Sequence, residues 1–155
     1  MSGTGASLRY VEHGSATLAT ILNLVPTPSA SWNDTALSVT LPSAGTYQLD
    51  ASVRCGLLVG SPSEAFIRAR LFDVTAGVVL PDSTVMVLQL SPPDSAANGN
   101  SRGNATAPIQ VEYTVTQPTV IRLQGSRTLT SGTAANATIA SNADGLTTLR
   151  YRRIA

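Results

Sequence analysis

The feature that most restricts what this chain can fold into is a two-residue alternation of apolar and polar side chains. In Thr46–Leu57 the odd positions Tyr47, Leu49, Ala51, Val53, Cys55 and Leu57 are apolar, while Thr46, Gln48, Asp50, Ser52 and Arg54 between them are polar. Successive strand side chains point to opposite faces, so this pattern predicts a half-buried β-strand. Ile109, Val111, Tyr113 and Val115 alternate in the same way with Gln110, Glu112, Thr114 and Thr116. Ala65–Leu90 reads as two strands, Ala65–Val74 and Thr84–Leu90, around a turn rich in Thr, Gly, Pro and Asp. Leu37–Leu41, Thr119–Gln124 and Leu146–Ile154 complete the series, with Thr119–Gln124 expected to pair with Ile109–Thr116 around Gln117-Pro118. Strands at this spacing, with turn signals between them, predict an all-β antiparallel sandwich or barrel.

The rest of the chain reads as connections. Thr17–Leu22 is an apolar stretch open to a strand or a helical turn, and Pro26 and Pro28 then block regular pairing. Ser91–Ala107, rich in Ser, Asn, Gly and Pro, reads as a long exposed loop, and Ser131–Asn142 as a second loop anchored by Ile139. No repeat or internal boundary interrupts the pattern.

Length and charge narrow the functional classes. The 155 residues suit one domain, which at that size buries roughly 70% of its unfolded surface. Charged residues are only 12% of the chain against 43% hydrophobic, a surface suited to burial in an oligomer or larger assembly. A formal net charge of +1 sets up no long-range field for nucleic acid or an anionic membrane. All ten basic residues are Arg, whose planar fork suits partly desolvated contacts. The N-terminus lacks the basic and apolar regions of a secretory signal, and no apolar run approaches the ~20 residues of a membrane-spanning helix.

Catalytic signatures are lacking in the sequence. One histidine, His13, and one cysteine, Cys55, supply neither a triad nor a thiolate metal site, and Cys55 falls on the apolar phase of its strand. No pair of carboxylates is spaced for acid–base work, and Asp73 and Asp82 flank a turn where Asp commonly binds local backbone. Gly45, Gly56, Gly60 and Gly77 are isolated and form no phosphate loop. The expectation is therefore a protein that is not an enzyme and has no cofactor or metal.

Two constellations suggest contact surfaces. Phe66, Arg68, Arg70 and Phe72 share the face of their strand opposite Ile67, Ala69 and Leu71, and Arg with aromatics is enriched at interface cores. An ordinary exposed face with Arg stems packed over the rings is the other reading. Arg150, Tyr151 and Arg152 lie in the last strand and form the second candidate subunit contact.

The runs Leu41–Tyr47, Phe66–Thr75, Val79–Ser83, Val115–Gln124 and Gly145–Tyr151 together resemble small jelly-roll domains in virion proteins of tailed bacteriophages. That family is similar in plan to the trimeric heads of complement and tumour-necrosis-factor proteins. The resemblance runs from about Trp32 to Ile154. It implies an antiparallel β-sandwich jelly roll with Greek-key connections that associates as a homotrimer through one sheet edge and face, and it brings no catalytic residue. The expected organisation is an N-terminal arm with a possible first strand over residues 1–31 and a jelly roll over 32–155. The function this implies is a trimeric capsid decoration, or cement, protein of the virion, made in the host bacterial cytoplasm. Its expected partners are itself and the major capsid protein or another virion protein, with no nucleic acid and no membrane. The alternative is a receptor-binding tip or small tail or fibre protein that touches the host surface through Ser91–Ala107 and Ser131–Asn142. A carbohydrate-processing enzyme on the same fold is disfavoured by the missing carboxylate pair.

Overall fold

The computed structural model describes residues 11–92 and 99–155, and no helix occurs among them. The strands are β1 (His13–Thr17), β2 (Leu22–Asn23), β3 (Asn33–Leu41), β4 (Gly45–Gly60), β5 (Glu64–Asp73), β6 (Val78–Val79), β7 (Val85–Leu90), β8 (Asn100–Val115), β9 (Thr119–Ser131), β10 (Ala134–Ile139) and β11 (Thr148–Arg153). They form two antiparallel sheets. In the first, β4 pairs along its full length with β8 on one side. On its other side β4 pairs with β11 and β10, which are flanked by β1 and β2 respectively. The second sheet runs β3-β9-β5, with β6 and β7 on the free side of β5. The chain passes repeatedly from one sheet to the other, and the fold is an antiparallel β-sandwich jelly roll with Greek-key connections.

The alternation read in the sequence decides which face of each sheet is inside. Tyr47, Leu49, Ala51, Val53, Cys55, Leu57 and Val59 of β4 are all buried against the second sheet. From that sheet Ala65, Ile67, Ala69 and Leu71 of β5, with Ile121 and Leu123 of β9, fill the other half of the core. Burial pushes the Cys55 thiol up to about 12, so it packs as a small protonated hydrophobe.

On the far edge of β4, β11 ends its pairing at Ser52 and β10 begins at Cys55, which leaves a gap between the two short strands. Thr147, fully buried, closes it: its hydroxyl accepts from the Arg54 N–H at 2.9 Å and donates to the Ala140 carbonyl at 2.7 Å. Buried backbone groups need such partners, so one hydroxyl lets a single long strand carry two neighbours on the same edge.

Several expectations change. Ile109–Thr116 and Thr119–Gln124 do not pair with one another. The chain changes sheets at residues 116–118, so β8 joins β4 while β9 lies between β3 and β5. Part of the predicted loop Ser91–Ala107 is strand: residues 100–107 extend β8 in register with Val53–Gly60. Residues 93–98 of that loop lie outside the described residues, as do residues 1–10 of the N-terminal segment. The predicted loop Ser131–Asn142 contains β10, paired with β4 and β2. The inward residues of the β8 extension, Ser101, Gly103, Ala105 and Ala107, are small, and in β10 only Ala137 and Ile139 are buried, so the alternation has little apolar contrast.

Of residues 1–31, those from 11 onward pack on the sandwich. β1 pairs with β11, and Leu18 and Leu24 belong to the core. The turn after Leu24 is held by Arg127 of β9, only 7% exposed, whose guanidinium donates to the carbonyls of Leu24 (3.1 Å) and Thr27 (2.8 Å). The Arg127 carbonyl in turn accepts from Ala30 N–H at 2.8 Å. Glu12 is fixed at the start of β1. Its carboxylate accepts from the hydroxyls of Tyr47 (2.8 Å) and Ser43 (2.9 Å) and faces Arg153 at 3.6 Å.

Arg127→Met removes charge-assisted donors from buried carbonyls, and we expect a loss of at least about 2 kcal/mol in denaturant melts. The hydroxyl donors of Tyr47 and Ser43, and then Arg153, hold the Glu12 carboxyl below its ordinary value of 4.5. A depressed carboxylate contributes stability above its unfolded value that is lost as pH falls through the folded one. Thermal melts taken below about pH 4.5 should therefore fall less steeply for Glu12→Gln than for the parent protein.

Candidate interaction site

Strand β5 carries its polar alternates outward, and that face holds the first candidate contact. Phe66, Arg68, Arg70 and Phe72 stand in a row along β5, each partly exposed. Trp32, just before β3, joins them. The Arg70 guanidinium lies 4.1 Å from the Trp32 ring centroid and the Arg68 guanidinium 5.2 Å from it. Phe66 flanks Arg68 at 5.5 Å and Phe72 flanks Arg70 at 5.9 Å. The result is an alternating ladder of rings and guanidinium groups, each contact favoured by attraction of a cation to a ring face. Trp32 is the member that sequence reasoning missed. It lies more than thirty residues from β5 along the chain, and only the β3–β9–β5 pairing brings it there.

Polar contacts around the ladder are few. Arg70 Nε donates to Gln124 Oε1 at 2.8 Å, and Gln124 Nε2 donates to Asp34 Oδ1 at 2.8 Å. Asp34 also takes Arg122 as its ion partner at 2.7 Å. The amide of Gln124, then Arg122, holds the Asp34 carboxyl below its usual value despite some burial. Among the described residues, Arg68 donates to the Thr128 hydroxyl at 3.5 Å. Burial, and then the neighbouring Arg68 charge, lower the Arg70 guanidinium from its ordinary value.

The second candidate contact lies on the opposite face of the molecule. Arg150 and Arg152 of β11 point outward from the first sheet and are exposed, and Arg152 Nη2 donates to Gln48 Oε1 at 3.0 Å. Across this face β11 and β1 contribute Arg150, Arg152 and His13. Beyond the Gln48–Asp50 stretch of β4, β8 contributes Gln110 and Glu112. Basic groups thus gather toward one edge and acidic groups toward the middle and the other edge. An open hollow of about 520 Å³ lies between His13, Gln48, Asp50, Arg150 and Arg152. Tyr151 points the other way, into the sandwich, where its ring meets Tyr47 edge-on at 5.8 Å. The residues singled out in the sequence therefore occupy two opposite faces, with Tyr151 between the sheets.

Among the described residues no three His, Cys, Asp or Glu side chains gather where a metal could sit. His13 is exposed on the edge strand β1, and Asp73 is buried, accepting from Ala76 N–H and from the Tyr113 hydroxyl, each at 2.8 Å. The Tyr113 hydroxyl is pushed up to about 12, first by burial and then by Asp73. No described helix is long and apolar enough to cross a membrane.

No family model matches the chain, and no curated protein matches it. Solved structures do. A chain in the structure of infectious bursal disease virus Gx strain aligns with 94% of this chain and 33% of its own length, at 12% identity and a TM-score of 0.54. A chain of the infectious bursal disease virus VP2 subviral particle aligns with 92% of this chain and 32% of its own, at 12% identity and a TM-score of 0.49. Eiger TNF from S. frugiperda aligns over 95% and 94% of the two chains, at 11% identity and a TM-score of 0.46. This chain spans about a third of the length of the two viral chains. At 12% identity the first match is a likeness of fold, and it extends over nearly all of the chain.

Trp32→Ala removes two guanidinium–ring contacts, each worth about 0.5–1 kcal/mol at a partly exposed site. We expect a destabilisation of about 1–2 kcal/mol in urea melts, with the β circular-dichroism spectrum retained.

Proposed function

We propose that this protein is a non-enzymatic structural component of a tailed-phage particle, a homotrimeric decoration protein that stabilises the capsid shell. The observation that carries the reading is the jelly-roll fold, matched across 94% of the chain to a chain of a virus structure. Low charge and two broad sheet faces fit a protein that works by contact. Binding only to the assembled shell stabilises that shell by mass action, with no chemistry required. The major capsid protein is the partner this role calls for.

The face made by β1, β11, β4 and β8 suits association between copies. Its basic flank, with Arg150 and Arg152, and its acidic flank, with Glu112, are complementary to one another across a head-to-tail contact. Such a contact closes into a ring when the rotation permits. Rim charges of this kind set register and encounter rate more than affinity. A second reading, a receptor-binding tip or small tail protein, is favoured by the Arg68–Trp32–Arg70 ladder on the other face.

Light scattering of the purified protein is expected to give three times the monomer mass, and Glu112→Arg is expected to shift the population toward monomer. A monomer at micromolar concentration would count against the trimer. Labelled protein imaged on intact particles is expected to cover the shell regularly. Label confined to tail or fibre ends would replace the decoration role with the second reading.

A further inference from the structure

The outer face of the second sheet holds two cations with too few acceptors. Arg68 and Arg70 project side by side from β5, and neither forms an ion pair among the described residues; Asp34, linked to Arg70 through Gln124, is engaged by Arg122 and Gln124. Among the described residues, the two buried side-chain polar atoms without a hydrogen-bond partner are both here: Arg68 Nε and Ser126 Oγ, on residues directly opposite in the β5–β9 register. Extending the β3–β9 register by one residue beyond Asn33–Gly125 sets Trp32 in that same row. Buried polar groups are nearly always satisfied, so the orphan pair marks a shortage of acceptors beneath two partly exposed guanidinium groups.

We propose that Arg68 and Arg70, walled by Trp32, form a binding site for an organic carboxylate. A carboxylate offers two coplanar oxygens, which match the planar fork of a guanidinium in a bidentate pair. One such group between the two side chains supplies acceptors to both forks and relieves the repulsion of two like charges. The rings of Trp32, Phe66 and Phe72 make the walls apolar. They favour an anion carried on an organic body over a strongly hydrated inorganic ion. No covalent step is involved.

The chain supplies its own reporter, because Trp32 is its only tryptophan. The intact protein is titrated with acetate, with glucuronate and with sulfate, against chloride at matched ionic strength. The expected result is a saturable change in Trp32 fluorescence with acetate or glucuronate, accompanied by a rise in melting temperature. A response to glucuronate alone identifies an acidic sugar as the source, and a response to both identifies the carboxylate itself. Arg68→Met with Arg70→Met keeps the apolar stems over the rings and should abolish the response. Arg70→Lys keeps the charge but loses the fork, and should weaken binding about tenfold. An unresponsive parent protein, a response confined to sulfate, or a response that survives the double substitution overturns the assignment. The titration of the parent protein decides the matter even if the double variant does not fold.

Discussion

Everything in the first sheet depends on the unbroken run of hydrogen bonds along β4. This strand must satisfy sixteen residues on both edges, and no single neighbour serves its second edge. β8 pairs with it from Gly45 to Gly60, while β11 and β10 divide the other side, with Thr147 bridging the gap between them. Because side chains alternate strictly, the register of β4 fixes which residues of its three partner strands face inward. A slip of one residue would drive Gln48, Asp50, Ser52 and Arg54 into the core. The seven buried side chains from Tyr47 to Val59 exclude that alternative.

The second sheet turns the same rule to a different use. Its core residues are small or branched, as in Ala65, Ile67, Ala69 and Leu71, and its large rings lie outside with the arginines. Aromatic side chains bury well when they can, so two phenylalanines on an outward face are notable against a chain with few aromatic residues. The Arg68 and Arg70 guanidinium groups lie over the Trp32 ring, and Ser126, in the same row, is wholly buried although it lies on the outer side of its strand. The ladder is thus a small second core laid on top of a sheet, and its charge has no counterpart within it.

Much of this was legible in the sequence where inward residues are large. The alternation in Thr46–Leu57 predicts β4, and Ala65–Val74 with Thr84–Leu90 predicts two strands around a turn, which the structure pairs as β5 and β7. The alternation fades where inward positions are small. Gly103 sits against Leu88 and Leu90, and the size of those leucines removes the need for a large residue facing them. The strand character of Asn100–Thr106 was hidden for that reason. The pattern that marks β9 stops at Gln124 because Gly125, Ser126 and Arg127 break it, whereas the strand runs on to Ser131. Arg127 is buried for its reach to carbonyls of the Leu24–Thr27 turn, a role no local pattern displays. The candidate contact on β5 was visible as Arg and Phe at alternate positions, but its central member, Trp32, is joined to it only by strand pairing.

The pairing of β1 with β11 has a mechanical consequence. Glu12 and Arg153 are neighbours, with the Arg153 N–H donating to the Glu12 carbonyl at 2.8 Å, so the two strands end side by side at one pole of the sandwich. A tension applied between these two residues opens the antiparallel ladder like a zipper, loading its hydrogen bonds one at a time from that pole. A force pressed on either sheet face is instead shared by every strand across it. The fold is therefore weak when pulled by its neighbouring ends and stiff when squeezed through its faces.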